Sequence, residues 1–278
     1  MRVLKAEYAG ACYGVQRALD MAYGAVPDGG TAYTLGPLIH NPQVVKSLEE
    51  HRIVAVGGLA DIGEGTVIIR SHGAAPQVKA EAEAKGLTVV DATCPYVARA
   101  QKAAASLAAE GYQVVIVGES GHPEVEGMRA YAAAEGCEAA VVADPAGLPE
   151  DIEGPVGVVV QTTQTEEALG AVVAALEGRG LNPLVRDTIC LATRQRQEAA
   201  ARLAEATDAI VVIGGRNSSN TSRLFEICKA RCPKSYHIEA PDEIDASWFE
   251  GCKTVGVTAG ASTPESQIDA VVACLEAL

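Results

Sequence analysis

Aromatic side chains are scarce in this chain: two Phe, one Trp and eight Tyr among 278 residues. Its core therefore has to be packed from Val, Ile, Leu and Ala. Cations are outnumbered, 22 Lys and Arg against 36 Asp and Glu, for a formal net charge of −14. Phosphate backbones are held by clustered Lys and Arg, so nucleic acid is excluded as a partner. A small anion is not excluded, because helix N-termini, hydroxyls, amides and imidazoles can hold one without a cationic cluster. No apolar run approaches the roughly 18–20 residues that cross a bilayer. The start, MRVLKAEYAGACYG, lacks the unbroken apolar stretch of a signal peptide. The expectation is a cytoplasmic protein with no membrane partner. No Ser/Pro-rich linker divides the chain, and its length suits one large domain or two to three small ones.

Eight cysteines are too sparse for a disulfide scaffold and, without export signals, stay reduced. Metal ligation, catalysis or burial remain for them. Three stand where a strand-like run passes into a helix-like one: Cys12 in GACYGVQRALD, Cys94 in DATCPYVARAQ and Cys190 in DTICLATRQRQEA. Around them, β-branched runs (TVIIRSHG, LTVVDATC, YQVVIVGES, PVGVVVQTT, PLVRDTIC, DAIVVIGGRN, KTVGVTAGAS) alternate with Ala-rich, helix-permissive segments. That alternation predicts an α/β fold with mainly parallel sheets.

An internal repeat organises the pattern. Counting 28 residues on from the three cysteines reaches His40, His122 and Ser218, each in a polar loop bearing Gly or Pro. A second polar loop follows at His72, Thr162 and Ser262, which lie 60, 68 and 72 residues beyond their cysteines. The order is cysteine and helix, then twice strand, polar loop and helix, three times over. This predicts three related α/β modules, 1–94, 95–190 and 191–278, around a pseudo-threefold axis. Loops at the carboxyl ends of parallel strands bind ligands. The three cysteines and six loops are therefore expected to face one centre.

A thiol at a helix N-terminus ionises readily, and thiolates are soft ligands for iron–sulfur clusters and zinc. A cubane cluster takes four cysteines; three would leave one iron open as a Lewis acid for a substrate oxygen. Cys137, Cys228, Cys232, Cys252 and Cys274 are read as buried. Cys228 and Cys232 lie four apart on one helix face, without the tight pairs of a zinc site. His40, His72 and His122, at matched stations, are read as donors to one anion. Ser218, Ser219, Asn220 and Ser262 add hydroxyl and amide donors, and the same residue types cap helices. HPEVEG offers Glu124 and Glu126 as proton-delivering carboxyls, and the residues alone leave that choice open. Thr162 and Thr163 can orient water or pass a proton. Arg70 and Arg216 are candidates for positive charge at the rim, whereas His51 and His237 read as packing or surface residues.

Taken together, ACYGVQRAL, HNPQVV, RSHG, DATCPYV, GHPEVEG, QTT, CLATRQRQEA, GGRNSSNTSRL and GVTAGASTPE resemble the 4-hydroxy-3-methylbut-2-enyl diphosphate reductase (IspH/LytB) family, from residue 12 to residue 265. The resemblance implies a trefoil of three α/β modules around a central 4Fe–4S cluster held by Cys12, Cys94 and Cys190, with one open iron. It implies a diphosphate held by His40, His72, His122, Ser218, Ser219, Asn220 and Ser262. It assigns proton delivery to Glu124 with Thr162 as helper, and sets Thr193 in the site region. The implied reaction removes the substrate's allylic hydroxyl to give isopentenyl and dimethylallyl diphosphates, the last step of the non-mevalonate route. An electron donor of the ferredoxin or flavodoxin kind is implied as partner. One position departs: Ala11 stands where the family carries an aromatic residue before its first cysteine. Two rivals share parts of the pattern, a three-module iron–sulfur enzyme like quinolinate synthase and a non-catalytic iron–sulfur sensor or carrier.

Overall fold

In a computed structural model, every residue except Asp28 and Gly29 is described. The chain opens with β1 (Arg2–Lys5) and α1 (Tyr13–Gly24). It then forms a sheet from β2 (Ala32–Leu35), β3 (Ile53–Val56), β4 (Thr66–Ile69) and β5 (Thr88–Asp91), with α2 (Pro42–Glu50) after β2 and α3 (Pro76–Ala84) after β4. Next come α4 (Pro95–Ala109) and the strands β6 (Gln113–Val117), β7 (Ala140–Val142), β8 (Val156–Val160) and β9 (Leu184–Arg186). Here α5 (Pro123–Ala134) follows β6 and α6 (Glu166–Gly178) follows β8. Finally α7 (Leu191–Glu205) leads to β10 (Ala209–Ile213), β11 (Ser235–Ile238) and β12 (Thr254–Ala259), with α8 (Ser219–Arg231) after β10 and α9 (Glu265–Glu276) after β12.

The three sheets run β3-β2-β4-β5, β7-β6-β8-β9 and β11-β10-β12-β1, and the strand pairs are parallel. The expected class, three α/β modules with parallel sheets, is what folds. All three sheets share one spatial order, second-first-third-fourth, with β1 in the fourth place of the last sheet. This differs from the boundary expected from the repeat: β1 lies within 1–94 yet pairs with β12, Val3 opposite Val255. Each fourth strand, β5, β9 or β1, leads into one of the three cysteines.

The chain forms two compact units. One comprises 1–16, 39–46 and 191–278 and holds the sheet of β1 and β10–β12. The other comprises 17–38 and 47–190 and holds the remaining two sheets.

Strands covered on both faces need apolar residues at every position, which is why they read as unbroken Val/Ile runs. Along β6, Val114 and Ile116 pack with Leu107, Val125 and Met128, while Val115 and Val117 pack with Val172 and Leu176 on the opposite face. Along β10, Ile210 and Val212 pack with Leu224 and Cys228, while Val211 and Ile213 pack with Ile268 and Val271. The helices that follow Cys94 and Cys190 seat on their sheets through close Leu–Gly contacts. A Cβ on Gly157 would lie 2.8 Å from Leu107 Cδ2, and one on Gly256 would lie 2.9 Å from Leu203 Cγ. Among the described residues no helix is long and apolar enough to cross a membrane.

Candidate active site

In each sheet the strand order reverses between the first and third strands, and parallel sheets bind ligands at the carboxyl ends beside such a switch point. The polar stations found in the repeat occupy these loops. His40, His122 and Ser218 follow the first strands β2, β6 and β10; His72, Thr162 and Ser262 follow the third strands β4, β8 and β12.

In the larger unit, His122 caps α5: its Nδ1 accepts the Glu124 amide at 3.1 Å. A neutral ring held this way carries its proton on Nε2, as a donor. The His72 ring meets the His122 ring edge-on, with centroids 5.5 Å apart. His72 sits in the tight turn closed by the Gly73 amide on the Arg70 carbonyl, at 2.9 Å. Gly73 has φ +75, and any Cβ there would collide with the Gln101 side-chain amide, so RSHG requires its glycine.

Glu124 and Glu126, undecided from the residues alone, separate clearly. Glu126 is half-buried and already engaged: it accepts the Gly121 amide at 3.1 Å and pairs with Arg129 at 3.1 Å. Glu124 is 2% exposed. Its two carboxyl oxygens receive the Thr162 amide at 2.7 Å and the Thr162 hydroxyl at 2.9 Å. Burial pushes its carboxyl up to about 7 against the downward pull of those two hydrogen bonds. The Thr162 carbonyl in turn accepts the Cys190 amide at 3.2 Å, tying this pair to a cysteine.

In the smaller unit the donors cluster around α2, α8 and α9. The Ser262 hydroxyl donates to the His40 carbonyl at 3.0 Å. Ser218 caps α8, its hydroxyl accepting the Thr221 amide. Ser219 and Asn220 occupy the first turn and are buried. Asn220 Nδ2 is buried with no acceptor among the described residues, a donor open to a ligand or water. Gly215 leaves room for the His40 carbonyl, which a Cβ would meet at 2.6 Å.

The cysteines divide by environment. Cys94 is the N-cap of α4, and Cys12 and Cys190 immediately precede α1 and α7. All three are half-buried and in no disulfide, each at the start of a helix. This donor set fits an iron–sulfur group. By contrast, burial pushes the Cys228 thiol up to about 12, and Cys232 is likewise in the core. Those two fit as packing residues, whereas Cys137, Cys252 and Cys274 are only half-buried, against the expectation of burial, and Cys137 packs beside the core with its thiol on the Tyr112 carbonyl.

Of the two rim arginines, Arg216 is committed to Glu243. Arg70 is half-buried, its pKa lowered by burial, with its guanidinium packed over Gly36. It lines a crevice of about 470 Å³ with Gly57, Gly73 and Gly121. Thr193 is buried in the first turn of α7.

Two residues of consequence carry no assignment from the sequence. Asn41 caps α2 through Oδ1 and sends Nδ2 to the Ser262 carbonyl (3.0 Å) and Gln267 Oε1 (3.1 Å). The Asn-Pro step before a helix was the available signal. Buried Arg196 donates twice to the Gly10 carbonyl, at 3.2 and 2.7 Å, two residues before Cys12. Its signal was a cation on the stripe Thr193, Arg196, Ala199, Ala200 that α7 buries.

Comparison with known proteins agrees along the whole chain. The family model for LytB protein matches residues 3–276. The 4-hydroxy-3-methylbut-2-enyl diphosphate reductase of Citrifermentans bemidjiense is 48% identical over 279 residues, covering 100% of this chain and 98% of that one. A solved structure of (E)-4-hydroxy-3-methyl-but-2-enyl diphosphate reductase, the terminal enzyme of the non-mevalonate pathway, is 42% identical with a TM-score of 0.73 and covers all of both chains. The E-1-hydroxy-2-methyl-but-2-enyl-4-diphosphate reductase of Plasmodium falciparum shares the fold, with a TM-score of 0.90 at 24% identity over 99% of this chain and 87% of that one. A full-length family match, joined to near-half identity from end to end, places this chain in the LytB family.

Proposed function

We propose that this protein is the reductase that removes the allylic hydroxyl of 4-hydroxy-3-methylbut-2-enyl diphosphate, giving isopentenyl and dimethylallyl diphosphates. The substrate takes up two electrons and two protons, and its hydroxyl leaves as water. Glu124 carries the chemical side of this reading. A carboxyl held near 7 in a buried site is part-protonated at neutral pH and can give up that proton. Its hydrogen bond to the Thr162 hydroxyl offers a path to the leaving oxygen. A 4Fe–4S cluster on Cys12, Cys94 and Cys190, bound with one iron open, would supply the electrons and a Lewis-acid site for that oxygen.

The diphosphate is assigned to His40, His72, His122, Ser218, Ser219, Asn220 and Ser262. Neutral donors suffice in a site of low dielectric, where each hydrogen bond strengthens. The unpartnered Nδ2 of Asn220 supports a ligand acceptor at that point. Thr193 is assigned to the same region. The electrons come from a protein donor of the ferredoxin or flavodoxin kind, in the cytoplasm.

The test is an anaerobic assay of the iron–sulfur-reconstituted protein with reduced viologen dye and the diphosphate substrate. Substrate-dependent dye oxidation yielding both C5 diphosphates is expected. A loaded cluster without turnover would overturn the assignment in favour of a sensor or another three-module enzyme.

A further inference from the structure

Exposed large apolar side chains are few, and three of them stand beside the helix-leading cysteines. Of the eight such side chains among the described residues, Met1 and Leu278 are the chain ends. Three of the others come one or two positions after Cys12, Cys94 and Cys190: Tyr13 at 68% exposure, Tyr96 at 39% and Leu191 at 60%. Each is followed within a turn by arginine, at Arg17, Arg99 and Arg194.

The pattern is most developed at the start of α4, within the larger unit. Tyr96, Arg99 and Lys102 are all exposed and recur every third residue, so they share one face. In a chain of net charge −14, α4 contains no Asp or Glu. Neither Arg99 nor Lys102 makes an ion pair or side-chain hydrogen bond among the described residues. Arg17 adds a third cation, its Nη1 donating to the Thr93 carbonyl at 3.1 Å, one residue before Cys94. The nearby Asp91 faces Lys79, at 3.9 Å, and also binds Thr93.

We infer that this face, Tyr96 with Arg99 and Lys102, is where an acidic electron-carrier protein docks. This rests on the reductase reading, which requires two electrons per turnover from outside the chain. Two reduced one-electron carriers, docking in turn, each lose one electron. The substrate gains both with two protons, and its hydroxyl leaves as water. Charge complementarity selects the partner: a cationic face on an otherwise acidic protein attracts an acidic carrier and orients it toward Cys94. Electron-transfer encounters bury little surface, which suits a small cationic face led by one exposed aromatic.

The experiment compares the cluster-reconstituted wild type with the double variant Arg99→Glu/Lys102→Glu. Calorimetry measures binding of an acidic ferredoxin and an acidic flavodoxin at low and high salt, and a viologen assay runs in parallel. Wild type is expected to bind at least one carrier in a salt-sensitive way, with affinity falling about tenfold or more in the double variant. The dye-driven rate should be unchanged, because a small dye needs no docking face. Tyr96→Ala should weaken carrier binding likewise, and Tyr96→Phe should restore it. Binding to neither carrier, equal affinity in the double variant, or an equal loss of dye-driven rate would each overturn the docking face. Binding that depends on these residues in a protein inactive with dye would leave the face standing and remove the reductase reading.

Discussion

Glu124 and Glu126 lie in one helical turn, yet only the first loses its water. The consequence can be measured in two ways. In the folded state Glu124 titrates near 7 rather than 4.5, so the folded protein binds more protons than the unfolded chain between those values. The stability it contributes is full below pH 4.5 and is lost as pH rises through 7, by about 3 kcal/mol at most. Denaturant unfolding at pH 5 and pH 8 should show this loss in wild type and a smaller one in Glu124→Gln. The same substitution should lower turnover by about 10²–10⁴-fold while leaving the cluster spectrum intact. Asn220 makes a separate case, since its side-chain nitrogen meets no acceptor among the described residues. Asn220→Ala should weaken substrate binding by about 1–3 kcal/mol, seen in KM, with little change in Tm.

At the scale of elements, the cysteine-led helices are held by contacts far from their cysteines. Leu107 lies thirteen positions beyond Cys94, and Leu203 thirteen beyond Cys190, and each covers a strand glycine. At Gly157 an added Cβ meets Cδ2, Cδ1 and Cγ of Leu107 within 3.1 Å, and that leucine is fully buried, so moving it disturbs the core around it. Gly157→Ala should therefore destabilise by about 1–3 kcal/mol. Adding Leu107→Ala should recover part of the clash term, so that the double variant loses less than the sum of the singles. Denaturant midpoints of the four proteins decide this.

On the whole-molecule scale, the buried clusters of the described residues are built from Val, Ile, Leu, Ala, Met and Phe, with Cys228 and Cys232 as the cysteines among them. Cys12, Cys94 and Cys190 belong to none of these cores. Removing the iron–sulfur group by chelation should therefore abolish visible absorption and activity while far-UV circular dichroism keeps its helix and strand signal. Collapse of that signal would mean that the group is needed for folding as well as chemistry.

What was legible from the chain alone followed from local pattern. Doubly covered strands such as β6, β8 and β10 must be apolar throughout, so their Val/Ile runs stood out. The repeat placed His40, His72, His122, Thr162, Ser218 and Ser262 on the loops beside the three switch points. The strands β2, β3, β7 and β11, three or four residues each, were too short to show a period. Only the tertiary structure decided that β1 completes the last sheet rather than the first, that Glu124 is sealed while Glu126 is engaged by Arg129, and that Arg196 holds the Gly10 carbonyl. Periodicity along a chain records which side of an element is buried. Pairing, desolvation and ion partnership are relations between residues as far apart in the chain as Val3 and Val255, and arise only when those residues meet.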